Sequence, residues 1–549
     1  MTTPRIPDYL EKLRPDPSKG RDVKHKSPGE LSPGIEPRSN LVRWIGFAGG
    51  ILLALALFFL LPASMEHNAR LTAAVAGLMA VWWMTEALPI PATALVPLVA
   101  FPTLSVPVEA AGEAVPIAFD DIGASYGNNV IFLFMGGFFL ALAMQRWNLH
   151  RRIALGVIRI MPNKPGAMIA GFMIATGFLS MWVSNTATAV MMLPIGMSVL
   201  SLVNQVLHDP DSTEPKTGAV AYDADGNVVT EVANAVKTKF GTALMLGIAY
   251  AASLGSLGTI IGTPPNTFLA GYMSKQGVEI GFAQWMLVGV PMSIVFMVLC
   301  WFILVKVMFR PEIDEIPGGR ELIRTELDKL GPISQGEIRV LAIFVLTAIT
   351  WITVPLLWEK PVISDAGIAM LAGLLLFTIP AGANRGVKLL DWKSAKELPR
   401  DVLLLFGGGL ALSGMFKTSG LTEAIGELAS GMGGLPVVLM IAMLATAILF
   451  LTELTSNTAT AATFIPVAAG VAMGMGVDVL LFTAPVALAA TCAFMLPVAT
   501  PPNAVAYGSG YVSIGQMVRG GVWLNVAGIV LITITSMTLL AMVFGLSLG

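Results

Sequence analysis

Apolar stretches of about twenty residues alternate along this chain with short polar or basic breaks. A helix rises about 1.5 Å per residue, so about 20 mostly apolar residues cross the hydrocarbon core of a bilayer. On that rule the pattern predicts spans near 43–62, 70–87, 89–106, 127–146, 284–308, 337–357, 365–381, 401–417 and 520–547. Four stretches do not fit a simple crossing. Residues 165–206 carry no Asp, Glu, Lys or Arg and are long enough to cross and return, with the polar Ser184-Asn185-Thr186 midway. That pattern predicts a hairpin dipping into the membrane with the triplet at its tip. Residues 433–471 follow the same plan around Ser456-Asn457-Thr458. The other two, 239–274 and 480–510, are apolar runs cut by Thr263-Pro264-Pro265-Asn266 and Thr500-Pro501-Pro502-Asn503. Proline lacks an N–H and disfavours helix in the residue before it, so each reads as a broken helix.

The two halves carry one ordered series of elements. The Ser-Asn-Thr triplets lie 272 residues apart, as do Leu133-Phe134-Met135-Gly136-Gly137 and Leu405-Phe406-Gly407-Gly408-Gly409. The Thr-Pro-Pro-Asn breaks lie 237 apart, and the drop of 35 is close to the length of a polar insertion at 207–236 that the second half lacks. Counting each broken helix as one crossing gives about eleven spans, five in each repeat. An odd number per repeat inserts the second upside down relative to the first. Inverted repeats with broken helices around a midplane site mark secondary transporters. The predicted organisation is a polar tail at 1–41, a first helix plus repeat at 42–308, a cytoplasmic linker at 309–335 and a second repeat at 336–549.

Composition supports the class. The chain is 55% hydrophobic and 12% charged, against about 25% charged in soluble domains. The fold expected is all-α and polytopic in a lipid bilayer. The tail has no signal-peptide core, so the first span reads as a retained helix. Residues 1–43 hold nine Lys/Arg, which places the N-terminus in the cytoplasm and, after eleven spans, the C-terminus outside. Basic residues from Arg146 to Arg152 mark a cytoplasmic return, with an interfacial amphipathic helix at 147–161. A net charge of −2 gives no basic field for nucleic acid. Cys300 and Cys492 lie in apolar runs, and the four histidines show no metal-ligand spacing. No nucleophile–base pair lies at membrane depth, so the chain reads as no enzyme, and no cofactor is implied.

At membrane depth, unwound backbone is tolerated only where protein or a water-filled cavity satisfies it. Carbonyls and hydroxyls suit a hard cation such as sodium, whereas free N–H groups and helix N-termini suit an anion. Each hairpin tip with its neighbouring break therefore makes one candidate sodium site: Ser180, Ser184, Asn185 and Gly262 in the first half, Thr452, Thr455, Asn457 and Ala499 in the second. The side chains of Ser184, Asn185, Thr186, Ser456, Asn457 and Thr458 converge on one anion between them. Thr263, Pro264, Thr500 and Pro501 at the breaks complete that site. No Lys or Arg occurs between Lys417 and Arg519, so an anion here depends on amides, hydroxyls, helix dipoles and bound sodium. A single Ser-Asn-Thr in a membrane helix can serve close packing alone; duplication in register with a second duplicated motif argues for a site. The glycine runs read as helix packing. Glu453 has two readings, a proton or cation site or a capped structural acid facing water.

The paired Ser-Asn-Thr motifs, the paired Thr-Pro-Pro-Asn breaks and Trp82-Trp83-Met84-Thr85-Glu86-Ala87-Leu88-Pro89 together resemble the divalent anion:sodium symporter family, from about residue 42 to the C-terminus. The resemblance implies a homodimer with a scaffold domain and an elevator-type transport domain in the cell (inner) membrane. It implies sodium-coupled import of C4-dicarboxylates such as succinate, malate and fumarate. An exchanger, a sulfate or citrate carrier on the same fold, and an anion channel are the alternatives. The tail and the 207–236 insertion depart from the compact bacterial pattern of that family.

Overall fold

A computed structural model describes residues 37–110, 113–208, 221–222, 228–229, 238–316, 318–358, 361–430 and 435–547. The tail before residue 37 and most of the 207–236 insertion fall outside the described residues.

The first half runs α1 (Pro37–Leu60), α2 (His67–Thr85), α3 (Val96–Leu104), α4 (Asn129–Arg146), α5 (Leu149–Arg159), α6 (Pro165–Ser180), α7 (Asn185–His208), α8 (Lys239–Ser256), α9 (Pro264–Lys275) and α10 (Phe282–Phe302). Next come α11 (Gly319–Lys329), α12 (Gln335–Leu357), α13 (Asp365–Thr378), α14 (Arg400–Thr418) and α15 (Leu421–Ser430). The chain closes with α16 (Val437–Thr452), α17 (Asn457–Gly474), α18 (Val479–Thr491), α19 (Pro501–Gly508) and α20 (Ile514–Thr535). Among the described residues seven helices are long and apolar enough to cross a membrane, with shorter apolar helices beside them. The all-α expectation holds, apart from small two-stranded pairs such as Val108–Ala110 with Glu113–Val115.

The helices stop where local chemistry stops them. Both prolines of each break sit in the first turn of the following helix, where their missing N–H costs nothing. The preceding Thr263 and Thr500 are extended, at φ −142° and −144°, as a residue before proline must be. Each hairpin turns in four residues, from Ser180 to Asn185 and from Thr452 to Asn457. The interfacial helix expected at 147–161 is α5, which buries Leu149, Ala154, Leu155 and Ile158 beneath a basic face. Its second-half counterpart α15, at the same 272-residue offset, and α11 within the linker carry no sequence expectation.

The broken helices run antiparallel, which demonstrates the inversion of the halves. Thr242 at the start of α8 donates to Tyr511 O, just beyond α19, at 3.1 Å. Thr483 near the start of α18 donates to Met273 Sδ, near the end of α9, at 3.6 Å. At the centre Thr263 Oγ1 and Thr491 Oγ1 meet at 3.4 Å. The packing obeys the same symmetry: α6 lies on α8 as α16 lies on α18, and α7 meets α19 as α17 meets α9. The glycine runs serve close approach, as expected. A Cβ on Gly136 would meet the Ala369 backbone at 2.6 Å, and one on Gly408 would meet Ala94 O at 2.1 Å.

Candidate functional site

A cavity of about 990 Å³ lies where the hairpin tips meet the helix breaks, at the upper end of the range of about 300–1,000 Å³ for small-molecule sites. Its inner wall carries Ser184, Asn185 and Thr186 from the first tip and Ser456, Asn457 and Thr458 from the second. Gly262, Thr263 and Pro264 from the first break and Ala499, Thr500 and Pro501 from the second complete that wall. Arg43, Glu86, Gln145 and Glu397 also line it. The structure thus brings every sequence-assigned anion residue to one space.

Four helix N-termini converge there, those of α7, α9, α17 and α19. Each helix N-terminus acts as a partial positive charge of about +0.5. In α9 and α19 prolines fill the first two positions, so these ends offer dipole without early N–H groups. The starts of α7 and α17 are free of proline and keep theirs. Ser184 Oγ accepts from Ala187 N at 3.3 Å, whereas Ser456 makes no such cap. Among the described lining residues Arg43 is the one basic side chain, and it pairs with Glu86 at 3.6 Å.

Beneath this wall sit two matched oxygen clusters. Ser180 Oγ lies 2.9 Å from Asn185 Oδ1 and 2.6 Å from Ala252 O. Thr452 Oγ1 lies 2.8 Å from Asn457 Oδ1 and 2.9 Å from Ala490 O. Both hydroxyls belong to fully buried residues. A hydroxyl has one proton, so in each trio it can satisfy only one of two acceptors. Three converging oxygens short of protons are a donor set for a hard cation. Gly262 packs against Ser256, where an added Cβ would lie 2.3 Å from Ser256 O, and Ser256 Oγ accepts from Asn185 Nδ2 at 3.3 Å. Thr455 lines the cavity, but its hydroxyl is engaged within the hairpin by Leu451 O at 2.9 Å and Thr460 Oγ1 at 2.7 Å. Sequence reasoning missed Ser256 and the carbonyls of Ala252 and Ala490. A backbone carbonyl has no residue-type signature, although both alanines lie just before a break.

Glu453 is a capped structural acid, but it is buried at 3% exposure rather than facing water. Its carboxylate accepts from the N–H groups of Phe494, Met495 and Leu496 at 2.8–3.2 Å and from Asn525 Nδ2 at 2.9 Å. Both oxygens are filled by donors, so it anchors the unwound segment after α18. Its first-half counterpart is Met181, whose carbonyl instead accepts from Thr259 Oγ1 at 2.5 Å.

Fold and site together define a multi-pass membrane protein of secondary-transporter architecture, two inverted halves around a central polar cavity. A sequence profile described as the sodium:sulfate symporter transmembrane region matches residues 43–546, and the chain belongs to that family. It is 41% identical over 507 residues to a sodium-dependent dicarboxylate transporter, SdcS, of Staphylococcus saprophyticus, covering 91% of each chain. It is 40% identical to the protein of the same name from Staphylococcus aureus, covering 91% of this chain and 92% of the relative. Among solved structures the fold resembles the YdaH transporter of Alcanivorax borkumensis, with a TM-score of 0.51 at 15% identity, covering 88% of this chain and 100% of that one. It also resembles Neisseria gonorrhoeae MtrF, with a TM-score of 0.50 at 13% identity, covering 88% and 97%.

Proposed function

We propose that this chain imports small dicarboxylates, of the succinate, malate and fumarate class, across the cell membrane by sodium symport. The observation that carries the reading is the duplicated oxygen trio flanking a cavity ringed by helix N-termini. The names of the Staphylococcus relatives agree with it. In this reading Ser180, Ser184, Asn185 and Gly262 hold one sodium, and Thr452, Thr455, Asn457 and Ala499 hold another. The tip residues Ser184, Asn185, Thr186, Ser456, Asn457 and Thr458 hold the dianion with Thr263, Pro264, Thr500 and Pro501. Moving one charge against 100 mV costs about 2.3 kcal/mol, so two sodium ions neutralise a dianion and a third lets the membrane potential drive import.

In this reading the basic tail starts α1 in the cytoplasm. Arg43 and Glu86 among the cavity's lining residues support an opening on that side, with the carrier facing inward. A homodimer with a static scaffold and an elevator-type moving domain, in the inner membrane, completes the reading. Sulfate, named in the family's description, is the second anion to test. Thermal unfolding of the purified protein with succinate, malate, fumarate, citrate and sulfate, each in sodium and in potassium, tests the assignment. Stabilisation by C4-dicarboxylates in sodium alone is expected, and the Ser180→Ala, Thr452→Val double variant should lose it. Equal stabilisation in potassium would remove the sodium sites; stabilisation by sulfate alone would replace the substrate.

A further inference from the structure

Each Thr-Pro-Pro-Asn break ends in a buried asparagine that lines no part of the cavity. Asn266 Nδ2 reaches back to Thr259 O at 3.0 Å and Leu257 O at 3.3 Å. Asn503 Nδ2 reaches back to Leu496 O at 3.1 Å and Ala493 O at 3.0 Å. Each carboxamide therefore ties the third residue of the second half-helix to two carbonyls of the unwound segment before it. In both residues the carbonyl end, Oδ1, is buried with no partner among the described residues. An unpartnered buried acceptor costs about 1–3 kcal/mol. At both pseudo-symmetric positions the amide is engaged through its donor end.

The segments so tied contain Gly262 and Ala499, the backbone positions assigned to the two sodium sites. We infer that Asn266 and Asn503 are paired positioning residues for sodium: their amides fix the course of each unwound segment, and so hold the cation-facing carbonyls in place. The inference rests on the reading of the oxygen clusters as sodium sites. Each break has further ties. In the first break Leu257 O also accepts from Trp285 Nε1 at 3.1 Å, and Thr267 Oγ1 donates to Ile260 O at 2.7 Å. In the second break Ala504 stands where Thr267 stands in the first, and Glu453 instead holds the segment through the N–H groups of Phe494, Met495 and Leu496. Loss of either asparagine should therefore loosen its segment and disturb sodium binding without unfolding the break.

The test is succinate uptake into proteoliposomes as a function of external sodium, at saturating succinate, for wild type, Asn266→Ala, Asn503→Ala and the Asn266→Ala, Thr267→Val double variant. Loss of residues that orient metal ligands costs about 10–100-fold in affinity. Asn503→Ala should raise the sodium KM at least about tenfold with the maximal rate retained at high sodium. Asn266→Ala should do the same, and the added Thr267→Val should raise it further. A lower maximal rate with an unchanged sodium KM in every variant would overturn the inference and leave the sodium sites standing. Wild-type uptake indifferent to sodium would overturn the sodium reading itself. If Asn503→Ala yields no folded protein, Asn266→Ala decides alone, since Trp285, Thr267 and Thr259 still tie its break.

Discussion

Glu453 shows how far a single residue can be read from sequence. An acid in the middle of an apolar run is visible at once, but its partners lie 41–43 and 72 residues away and three of them are backbone amides. Only the fold reveals that the carboxylate is saturated by donors. Glu453→Gln would place an NH₂ against N–H groups and leave at least one of them without an acceptor. Hydrogen bonds to charged groups contribute about 1.5–3 kcal/mol each. The variant should lose about 3 kcal/mol or more of stability, seen as a lower midpoint in thermal unfolding of the purified protein. An unchanged midpoint would show that the carboxylate is not the anchor. The triplet side chains were the most legible part of the site, because polar residues repeated in register at membrane depth need an explanation. The carbonyls of Ala252 and Ala490 were the least.

At the scale of elements, legibility followed the range of the forces. The breaks could be read from sequence because proline acts on its immediate neighbours. The hairpins could be read because long apolar arms and a polar tip are local properties. The helices α11 and α15 could not: they are short, and tertiary packing holds their amphipathic faces, as between α15 and α17. One close approach was equally hidden. A Cβ on Gly255 of α8 would lie 2.1 Å from Gly177 O of α6, against backbone on a packed helix that cannot yield as a side chain would. Overpacking typically costs about 1–3 kcal/mol. Gly255→Val should reach at least that and separate the first hairpin from its broken helix, read as loss of monodisperse protein on size exclusion. Normal yield and unfolding midpoint would contradict this packing.

For the molecule as a whole, two inverted halves place their helix breaks back to back. The arrangement gathers four helix N-termini and two oxygen clusters into a space with one basic side chain among its described lining residues, itself paired to a glutamate. A dianion in such a site would need accompanying cations, and in the proposed reading coupling between the two ligands would follow from shared walls: Asn185 and Asn457 belong to both an oxygen cluster and the cavity lining. Accumulation of labelled succinate in proteoliposomes, with an inward sodium gradient or with equimolar potassium, tests this most directly. Sodium symport predicts uptake above the external concentration with the sodium gradient and collapse of that accumulation when a sodium ionophore is added. Uptake equal in sodium and potassium would contradict it.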